Sequence, residues 1–572
     1  MKLIWRVVIA SLFIIVMLAV LVWWNLPRKV DMAEYAPADS FVYLQVDSLN
    51  QLATALEQNE TWKILGPTLD IQMGTGGGWL STAAWAGIAP TDSVILSRAQ
   101  MALVIVGMNT TEEADTLKIR PEAALIVETH TSQRRIRSTA IEAVKRIAQF
   151  AYGQPTCTQH IEGAEYIECV APQGDRRIVA ALEGTLVVVG NSKNAVQICL
   201  EVHRGQRSSL KTDADMLAMR SKVSTDKSLA FGYISSANAA KLFSLGAPLL
   251  IGKAPGDHQL EQILAVSAAK ILRGIAWSSV SAAGGLEDRF LFSLEPSVLS
   301  RLGPAFDTAQ VGDEFWKLVP ETFQSLTIYR TQNPQAAWVA MDSAVSSKLD
   351  ALSAVVFASL LKSALSVYGI TDPQELLATV APPLVTLRTD PGAEGSILIA
   401  RVRDRQALRR LLAKQLFSGN RGQIMEGVHS DPDSSKEFAA VIVNDYVLVG
   451  KTENVKRCVV AVRNNQIISA GTKLQRFIHF APNSTATIVT FTNDEPRLNS
   501  VISVLSALKG QAPSPEKAEV LRRVVQDAAF AATETTLSTI GIERRTRSAL
   551  GQFSTLFSLL ESNHSTTSPR EP

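Results

Sequence analysis

The hydrophobic pattern of the chain is most pronounced at its N-terminus. Val7–Trp24 is a run of 18 residues without a charge, and no apolar run of comparable length follows it. As an α-helix it would reach roughly 27 Å, close to the thickness of the hydrocarbon core of a bilayer. Trp5, Trp23 and Trp24 lie at its ends, and indole rings prefer the membrane–water interface. A buried core helix would show a polar stripe, which this run lacks, so the pattern predicts a transmembrane helix.

The residues after this run indicate whether the helix is retained. Signal-peptide cleavage requires small residues there, but the chain reads Trp-Trp-Asn-Leu-Pro-Arg over 23–28, so we predict an uncleaved anchor. Lys2 and Arg6 before the run are balanced by Arg28 and Lys29 after it, so the charge bias that orients such helices is weak. A single N-terminal anchor ahead of a long chain commonly acts as an export signal. We therefore expect a single-pass protein of the bacterial inner (cytoplasmic) membrane, with the bulk of the chain periplasmic or extracytoplasmic.

Beyond the anchor, short strand-like runs are interspersed with amphipathic helices. The hairpin turn expected at Glu183–Gly184 requires antiparallel pairing. The helices do not alternate with the strands as regularly as in a doubly wound parallel sheet. The predicted fold class is therefore α+β, with antiparallel sheet and helices packed on one face. The strand predictions are Phe41–Val46, Met101–Val106, Ala124–Val127, Ile178–Leu182, Leu186–Val189 and Leu229–Ile234.

One pattern of strands and turns occurs twice along the chain. Arg176–Asn194 matches Lys436–Asn454: each predicts a hairpin, then Gly190 or Gly450, then a helix cap at Ser192 or Thr452. The order is kept elsewhere, so we predict two homologous units of about 250 residues each. The other matches are Ala123–Glu128 with Gly395–Ala400, Ile161–Gly163 with Met425–Gly427, Leu229–Ile234 with Thr487–Thr492, and Gly285–Glu287 with Gly541–Glu543.

The repeat and the anchor together predict the domain organisation. Polar and Pro/Gly-containing stretches supply the boundaries between the units, and the C-terminal tail is too polar to fold. We expect a cytoplasmic stub at 1–6, the transmembrane anchor at 7–24, a connector at 25–38, one α+β repeat at 39–298, a linker at 299–313, a second α+β repeat at 314–560 and a disordered tail at 561–572.

Composition excludes several classes of protein. Hydrophobic residues make up 46% of the chain, which is incompatible with disorder throughout. The formal net charge of +2 leaves no electrostatic basis for nucleic-acid binding driven by overall charge. Four cysteines are too few for a disulfide scaffold or a zinc ribbon.

Sequence motifs identify no catalytic residue, metal site or cofactor. Gly450-Lys451-Thr452 ends like a phosphate-binding loop, but Asp445 stands where that motif requires glycine. The Gly-x-Ser-x-Gly motif of serine hydrolases is absent, and Ser-x-x-Lys recurs too often to single out one copy. The histidines are scattered without the His-x-x-x-His spacing of a helical metal site. We therefore expect no cofactor, and the sequence favours a protein that is not an enzyme without settling the question.

Two cysteines are placed to form a hairpin disulfide. Gly163 lies midway between Cys157 and Cys169, and both flanking segments are strand-like. We predict that the cysteines lie opposite each other, with Cα atoms about 4.4–6.8 Å apart. The short loop would limit the stabilisation to on the order of 2–3 kcal/mol. Two free thiols, or a metal site with His160, are the alternatives. Cys199 and Cys458 lie on apolar stripes and are expected to be buried.

Each predicted unit also contains a basic amphipathic helix. In the first, the apolar stripe is Ile136, Ala140, Val144 and Ile147; in the second it contains Leu408, Leu411 and Leu412. The opposite faces are either ordinary solvated surfaces or contacts for anionic lipid headgroups or cell-envelope polymers. Their basic residues are Arg134, Arg135, Lys145 and Arg146 in the first helix, and Arg403, Arg410 and Lys414 in the second.

Several segments of the first half resemble a known family. Together with the predicted N-terminal anchor, two segments resemble the bacterial domain of unknown function 3352 family. They are the predicted strand Ala36–Leu44 and the stretch that begins with Val189–Ser192 and ends with Leu210-Lys211. The resemblance covers most of residues 30–300 and, more weakly, the second half. It implies a membrane-anchored extracytoplasmic protein and supplies no catalytic residue.

These observations favour a binding, scaffolding or envelope-assembly function. The partners would be the lipid bilayer through Val7–Trp24 and other envelope components. An envelope enzyme of the hydrolase type, with a site assembled from residues distant in sequence, is one alternative. A carrier of a lipid or another apolar ligand is another. A deep polar cleft with a carboxylate or histidine pair would favour the enzyme, and a continuous apolar cavity would favour the carrier.

Overall fold

The computed structural model covers most of the chain after residue 28. The described residues are 29–70, 90–113, 116–174, 176–242, 267–310, 312–390, 395–416, 421–429, 431–468, 485–509, 513–528 and 530–555. The predicted stub, the predicted transmembrane helix at 7–24 and the tail at 561–572 lie outside them. Within these ranges no single helix has the length and hydropathy to cross a membrane, although one pair bent by 61°, Ser353–Tyr368 with Pro373–Thr379, meets those criteria.

The strands form one continuous sheet whose members come from both halves of the chain. From the first half come β1 Val42–Val46, β2 Gln100–Glu113, β3 Thr116–Glu128, β4 Thr156–Glu162, β5 Ala164–Val170, β6 Arg177–Glu183, β7 Leu186–Gly190, β8 Ser228–Ser235, β9 Leu272–Ala282 and β10 Gly285–Leu294. From the second half come β11 Ser325–Tyr329, β12 Val380–Arg388, β13 Ser396–Val402, β14 Gly422–Glu426, β15 Phe438–Val443, β16 Tyr446–Lys451, β17 Ile488–Asn493, β18 Phe530–Leu537 and β19 Gly541–Ser548.

The helices occupy the connections between these strands. They are α1 Leu49–Glu57, α2 Glu60–Thr68, α3 Pro90–Arg98, α4 Gln133–Tyr152, α5 Lys193–His203, α6 Ala214–Val223, α7 Pro296–Leu302, α8 Pro334–Ser346, α9 Ala351–Ser363, α10 Pro373–Thr379, α11 Arg405–Leu416, α12 Thr452–Arg463, α13 Glu495–Lys509 and α14 Pro515–Asp527. Helix α7 begins before the predicted linker at 299–313, and its Leu302 is buried.

The order of the strands across the sheet repeats itself. Neighbour by neighbour it runs β4-β5-β6-β7-β3-β2-β1-β8-β9-β10, then β19-β18-β17-β11-β12-β13-β16-β15-β14. Read from its outer end, the second series is β15-β16-β13-β12-β11-β17-β18-β19 after the edge strand β14. It repeats the order β6-β7-β3-β2-β1-β8-β9-β10 of the first series, strand for strand. Gly190 pairs with Ala124 of β3, and Gly450 pairs with Ile397 of β13 in the same way. The predicted α+β class is confirmed, although the two halves share a single sheet.

The two halves meet at β10 and β19, which pair antiparallel. Arg289 lies directly opposite Arg545. Counted from Gly285 and Gly541, which match in the sequence, these two arginines occupy the same position of their strands. The centre of this pairing is therefore a local twofold axis perpendicular to the sheet. We call the β10–β19 pairing the seam.

Helices cover both faces of the sheet, so the prediction of helices on one face was wrong. Ile136 of α4 packs with Leu182 of β6, whereas Val196 of α5 packs with Ala181, the next residue along the same strand. Successive side chains of a strand point to opposite faces, which places α4 and α5 on opposite sides. Helices α11 and α12 are divided between the faces in the same way. Continuous apolar runs such as Leu186–Val189 are typical of strands buried on both faces.

The outer strands of the two halves differ. Strands β4 and β5 form an antiparallel hairpin beside β6, and Ile161, Glu162 and Gly163 lie at its turn. The matching residues Met425–Gly427 lie at the end of β14, which pairs directly with β15 and runs parallel to it. Among the residues that the structure describes, the second half therefore has no counterpart of β5. This parallel pair makes the sheet mixed, where an antiparallel sheet was predicted.

The helix starts illustrate how local sequence sets these elements. Ser192 accepts a hydrogen bond from the backbone N–H of Ala195 at 3.1 Å and caps α5, as predicted. Asp213 caps α6 by accepting from the N–H of Met216 at 2.8 Å. The predicted cap at Thr452 was wrong, because Thr452 is the first residue of α12 and its side chain is buried.

Candidate functional site

A polar cavity of about 690 Å³ lies between the end of β1, the start of β8 and helix α6. Its position depends on the sheet order, because β8 pairs with β1 although about 180 residues separate them in the chain. We call it the β1–β8 cavity. It is lined by Lys29, Gln45, Asp47, Leu217, Arg220, Ser221, Ser224, Thr225, Asp226, Ser228, Ala230 and Phe231.

The strand side of the cavity presents a buried polar relay. Tyr43 and Gln45 point to the same face of β1, and Gln45 is only 2% exposed. The Tyr43 hydroxyl donates to Oε1 of Gln45 at 2.6 Å, and the Gln45 amide donates to the Asp47 carboxylate. Burial is the main reason why the pKa of Tyr43 lies well above its ordinary value. Burial thus favours the neutral phenol, and the relay fixes the Asp47 carboxylate at the cavity.

The helix side of the cavity presents a fixed cation. Arg220 lies in the last turn of α6, and its Nη1 donates to Oδ1 of Asp31 at 2.9 Å. Its guanidinium carbon lies 5.3 Å from the ring centroid of Phe231, in a cation–π contact. Burial alone would lower the pKa of Arg220, but the hydrogen bond and charge of Asp31 raise it overall. The side chain is therefore charged and held in place on two sides.

The remaining groups of the cavity have unused binding capacity. Among the described residues, Lys29, Asp47 and Asp226 form no ion pair with any side chain. The Oγ atom of Ser224 is buried and, within the same ranges, has no hydrogen-bond partner. A buried hydroxyl without a partner is costly unless water or a ligand satisfies it. The cavity thus brings together two cations, two carboxylates and an unsatisfied hydroxyl.

This arrangement is suited to recognition. The cavity lining contains neither histidine nor cysteine. Ser221 donates to the carbonyl of Ala218, and Ser228 accepts from the N–H of Thr225, so neither hydroxyl contacts a carboxylate in the described part of the chain. Nucleophilic catalysis requires a hydroxyl or thiol within hydrogen-bond reach of a base. The charged groups can instead bind and orient a polar molecule.

A second polar group lies at the seam, inside the sheet. Asp288 of β10 is fully buried; it accepts from the Nε1–H of Trp277 and from the N–H of Gln552, both at 2.9 Å. Burial, reinforced by the charge of Asp494, raises the pKa of Asp288 to about 6. Because its neighbours come from β9, from the segment after β19 and from the end of β17, this carboxyl joins both halves of the chain.

Asp288 also ends a row of hydroxyl side chains that crosses the sheet. The members are directly opposite one another in successive strands, and two pairs are hydrogen-bonded, Thr327 with Thr490 at 3.1 Å and Thr533 with Thr546 at 2.9 Å. The hydroxyl residues, all on one face of the second half, are Thr386, Thr327, Thr490, Thr533 and Thr546, and the row ends at Asp288 of the first half.

The predicted basic surfaces are not brought together. Arg134, Arg135 and Lys145 are exposed on α4, while Arg146 lies 3.5 Å from Glu142. Helix α4 packs near one end of the sheet and α11 near the other, so the two sets face separate regions of the surface. The second set lies on or just before α11: Arg403 and Arg410 are exposed, and Lys414 forms an ion pair with Glu375 at 3.3 Å.

The apolar stripe predicted for α4 requires one correction. Ile136 and Val144 are buried as expected, but the side chain of Ile147 is 50% exposed. Ala148 is fully buried in its place. With 3.6 residues per turn, the buried positions Ile136, Val144 and Ala148 span an arc of about 120° around the helix, and Ile147 lies near one edge of that arc, close to the direction of Ile136.

The predicted cysteine pair lies in the expected hairpin. Cys157 of β4 is directly opposite Cys169 of β5, the two are joined by a disulfide, and Gly163 at the turn has a φ of 71°. Their Cα atoms are 4.1 Å apart, slightly closer than the predicted range. Cys199 and Cys458 are buried thiols, as expected, and burial raises the pKa of each to about 12.

The sequence analysis did not identify the β1–β8 cavity. Its residues come from the start of the described chain, from the end of β1 and from 217–231, and only strand pairing brings them together. One signal was present: Gln45 interrupts the apolar positions of β1 on its buried face, and a buried amide requires partners. The chain matches no protein-family model, no curated protein and no solved structure with which it was compared.

Proposed function

We propose that the protein is a membrane-anchored extracytoplasmic binding protein whose β1–β8 cavity takes up a small charged molecule next to the membrane. The observation that carries this proposal is the convergence of Lys29, Asp47, Arg220 and Asp226 on one cavity. Lys29 follows the end of the predicted anchor, Trp24, by five residues. The cavity therefore opens close to the point where the chain would leave the bilayer.

The same observation favours binding over the two alternatives. A carrier of an apolar ligand would need a largely apolar cavity, whereas charged and hydroxyl groups line this one. A hydrolase would need an activated nucleophile, and among the described residues no lining hydroxyl is hydrogen-bonded to a carboxylate or another base. The separate basic helices are proposed only as secondary contacts with anionic headgroups or envelope polymers.

We further propose that the two halves are homologous units. The repeated strand order and the pairing of equivalent arginines across the seam support this origin by duplication. The charged lining of the β1–β8 cavity has no counterpart at the end of β11, where the chain reads Ile-Tyr-Arg over 328–330 instead of the Gln-Val-Asp of 45–47. In this proposal the first half provides the binding site and the second half extends the scaffold.

The topology can be tested with reporters fused to the C-terminus of the full chain. A reporter active only in the cytoplasm should be silent, and one active only outside it should be active. The mature protein should still contain residues 7–24, as measured by N-terminal sequencing. An active cytoplasmic reporter, or a mature chain that begins after Trp24, would contradict the proposed location.

Filling the cavity should abolish binding without unfolding the protein. We expect small charged metabolites to raise the melting temperature of the detergent-solubilised full chain, and Ser224→Trp to remove the shift because the indole would occupy the cavity. Ser300→Trp, at an exposed position of α7, is the matched control and should keep the shift. If compounds stabilise wild type and Ser224→Trp equally, binding occurs elsewhere and the proposal is wrong.

A further inference from the structure

We infer that the molecule bound in the β1–β8 cavity is a small zwitterion that carries a protonated amine and a phosphate or carboxylate group. This inference rests on the proposed binding function and adds the chemical class of the ligand. It follows from the charges that line the cavity, their partners within the protein and the size of the space.

The cationic groups provide one half of the complementarity. Arg220 uses only its Nη1 for Asp31, and a guanidinium carries five N–H donors. Lys29 forms no ion pair among the residues that the structure describes. Both side chains line the cavity, and together they match a phosphate or carboxylate. Because Asp31 and Phe231 already hold Arg220, ordering this donor on binding costs little conformational entropy.

The carboxylates provide the other half. Asp47 accepts from the Gln45 amide, which leaves most of its lone pairs available. Asp226 forms no ion pair in the described ranges. A ligand that was purely anionic would place its charge in a cavity that also holds these two carboxylates. A ligand that was purely cationic would be opposed by Lys29 and Arg220 in the same way, and juxtaposed like charges are unfavourable.

The neutral groups and the volume agree with this class. The unsatisfied Oγ of Ser224 can donate to a phosphate oxygen or accept from an ammonium group. A volume of about 690 Å³ is within the range of small-molecule sites, which runs from about 300 to 1,000 Å³. Phosphoethanolamine and related zwitterions would fit with space left for an attached group. Phosphoethanolamine occurs both as a free molecule in solution and as the headgroup of a phospholipid.

The test compares a whole zwitterion with its two halves. We expect phosphoethanolamine to raise the melting temperature of the detergent-solubilised full chain more than inorganic phosphate or ethanolamine does. Lys29→Gln and Asp226→Asn should each weaken its apparent affinity about tenfold. Lys227→Gln and Asp215→Asn are matched controls, because both residues are exposed and neither lines the cavity, and they should behave as wild type.

A second arm identifies the source of the zwitterion. The full chain is reconstituted in nanodiscs of phosphatidylethanolamine or of phosphatidylglycerol, which lacks the amine. If the headgroup is the ligand, the protein is more stable in phosphatidylethanolamine, and free phosphoethanolamine adds stability only in phosphatidylglycerol. If the ligand is free, phosphoethanolamine gives the same shift in both. Either result supports a zwitterion.

Two outcomes would overturn the inference. One is that phosphate or ethanolamine alone stabilises the protein as strongly as phosphoethanolamine. The other is that the shift survives both Lys29→Gln and Asp226→Asn. If, in addition, a singly charged compound stabilises wild type but not Ser224→Trp, the binding function stands and only the ligand class is wrong. If no compound distinguishes wild type from Ser224→Trp, the proposed function itself fails.

Discussion

Replacing Gly541 with alanine is expected to lower the free energy of unfolding by about 3 kcal/mol, the upper part of the range for overpacking in a close-packed interior. Gly541 lies at the end of the seam, where a Cβ atom would overlap the backbone carbonyl oxygen of Phe292. Backbone cannot rotate away as a flexible side chain could. Relief of the overlap therefore requires β10 and β19 to separate at this point, which weakens the pairing of the two halves.

The equivalent position predicts an equivalent effect. A Cβ atom at Gly285 would overlap the carbonyl oxygen of Ser548 at the other end of the seam. Gly285→Ala should therefore destabilise the protein by a similar amount, measured by urea denaturation of the full chain. Gly303→Ala is the control, because nothing lies within 4 Å of its added Cβ. If Gly541→Ala unfolds at the same urea concentration as Gly303→Ala, the seam is not closely packed.

The buried carboxyl at the seam should make the protein less stable as the pH rises. The pKa of Asp288 is about 6 in the folded chain, against an ordinary value of 3.8. The folded state therefore holds the proton between about pH 4 and pH 6, where the unfolded chain has released it, so stability falls as the pH increases through this window. A difference of about 2 pH units corresponds to a loss of about 3 kcal/mol at pH 7.

The variant Asp288→Asn should flatten this dependence. Asparagine does not ionise, and its carbonyl oxygen can still accept from Trp277, so the slope of unfolding free energy between pH 4 and 6 should decrease.

Glu287 has the opposite behaviour: despite burial, hydrogen bonds from Arg289 and Arg547 lower its pKa, so its contribution is lost only below about pH 4.5. Urea denaturation between about pH 3 and pH 7 separates the contributions of Asp288 and Glu287, because they fall in different pH windows; Asp215→Asn, at an exposed position, is the control. An unchanged slope in Asp288→Asn would contradict the assignment.

The sequence predicted the elements of the fold better than their arrangement. Hairpins, caps and the α+β class follow from local patterns, as at Ser192 and at the turn of Gly163. Which strands are neighbours depends on contacts between distant residues. The prediction of helices on one face failed because Ala181 and Leu182 are consecutive and both fully buried, so the strand is covered on both faces, and the sequence does not show which helix covers which face.

The site was less predictable than the fold for a related reason. No spacing in the sequence connects Lys29 with Asp226, because their proximity depends on the pairing of β1 with β8. The one motif with a resemblance to a phosphate-binding loop, Gly450–Thr452, does not form a loop. Gly450 is paired within the sheet, and Thr452 is the first residue of α12. A binding site formed by charged residues that are far apart in the sequence can be identified only once the pairing of the strands is known.

The seam has a consequence for biosynthesis. Strand β10 pairs on one side with β9, but its other neighbour, β19, lies about 250 residues further along the chain. At a synthesis rate of about 5–20 residues per second, the edge of β10 stays open for roughly 12 to 50 s. An open edge can recruit a strand from another nascent chain. The consecutive charges of Glu287, Asp288 and Arg289 would disfavour such pairing until β19 emerges to close the sheet.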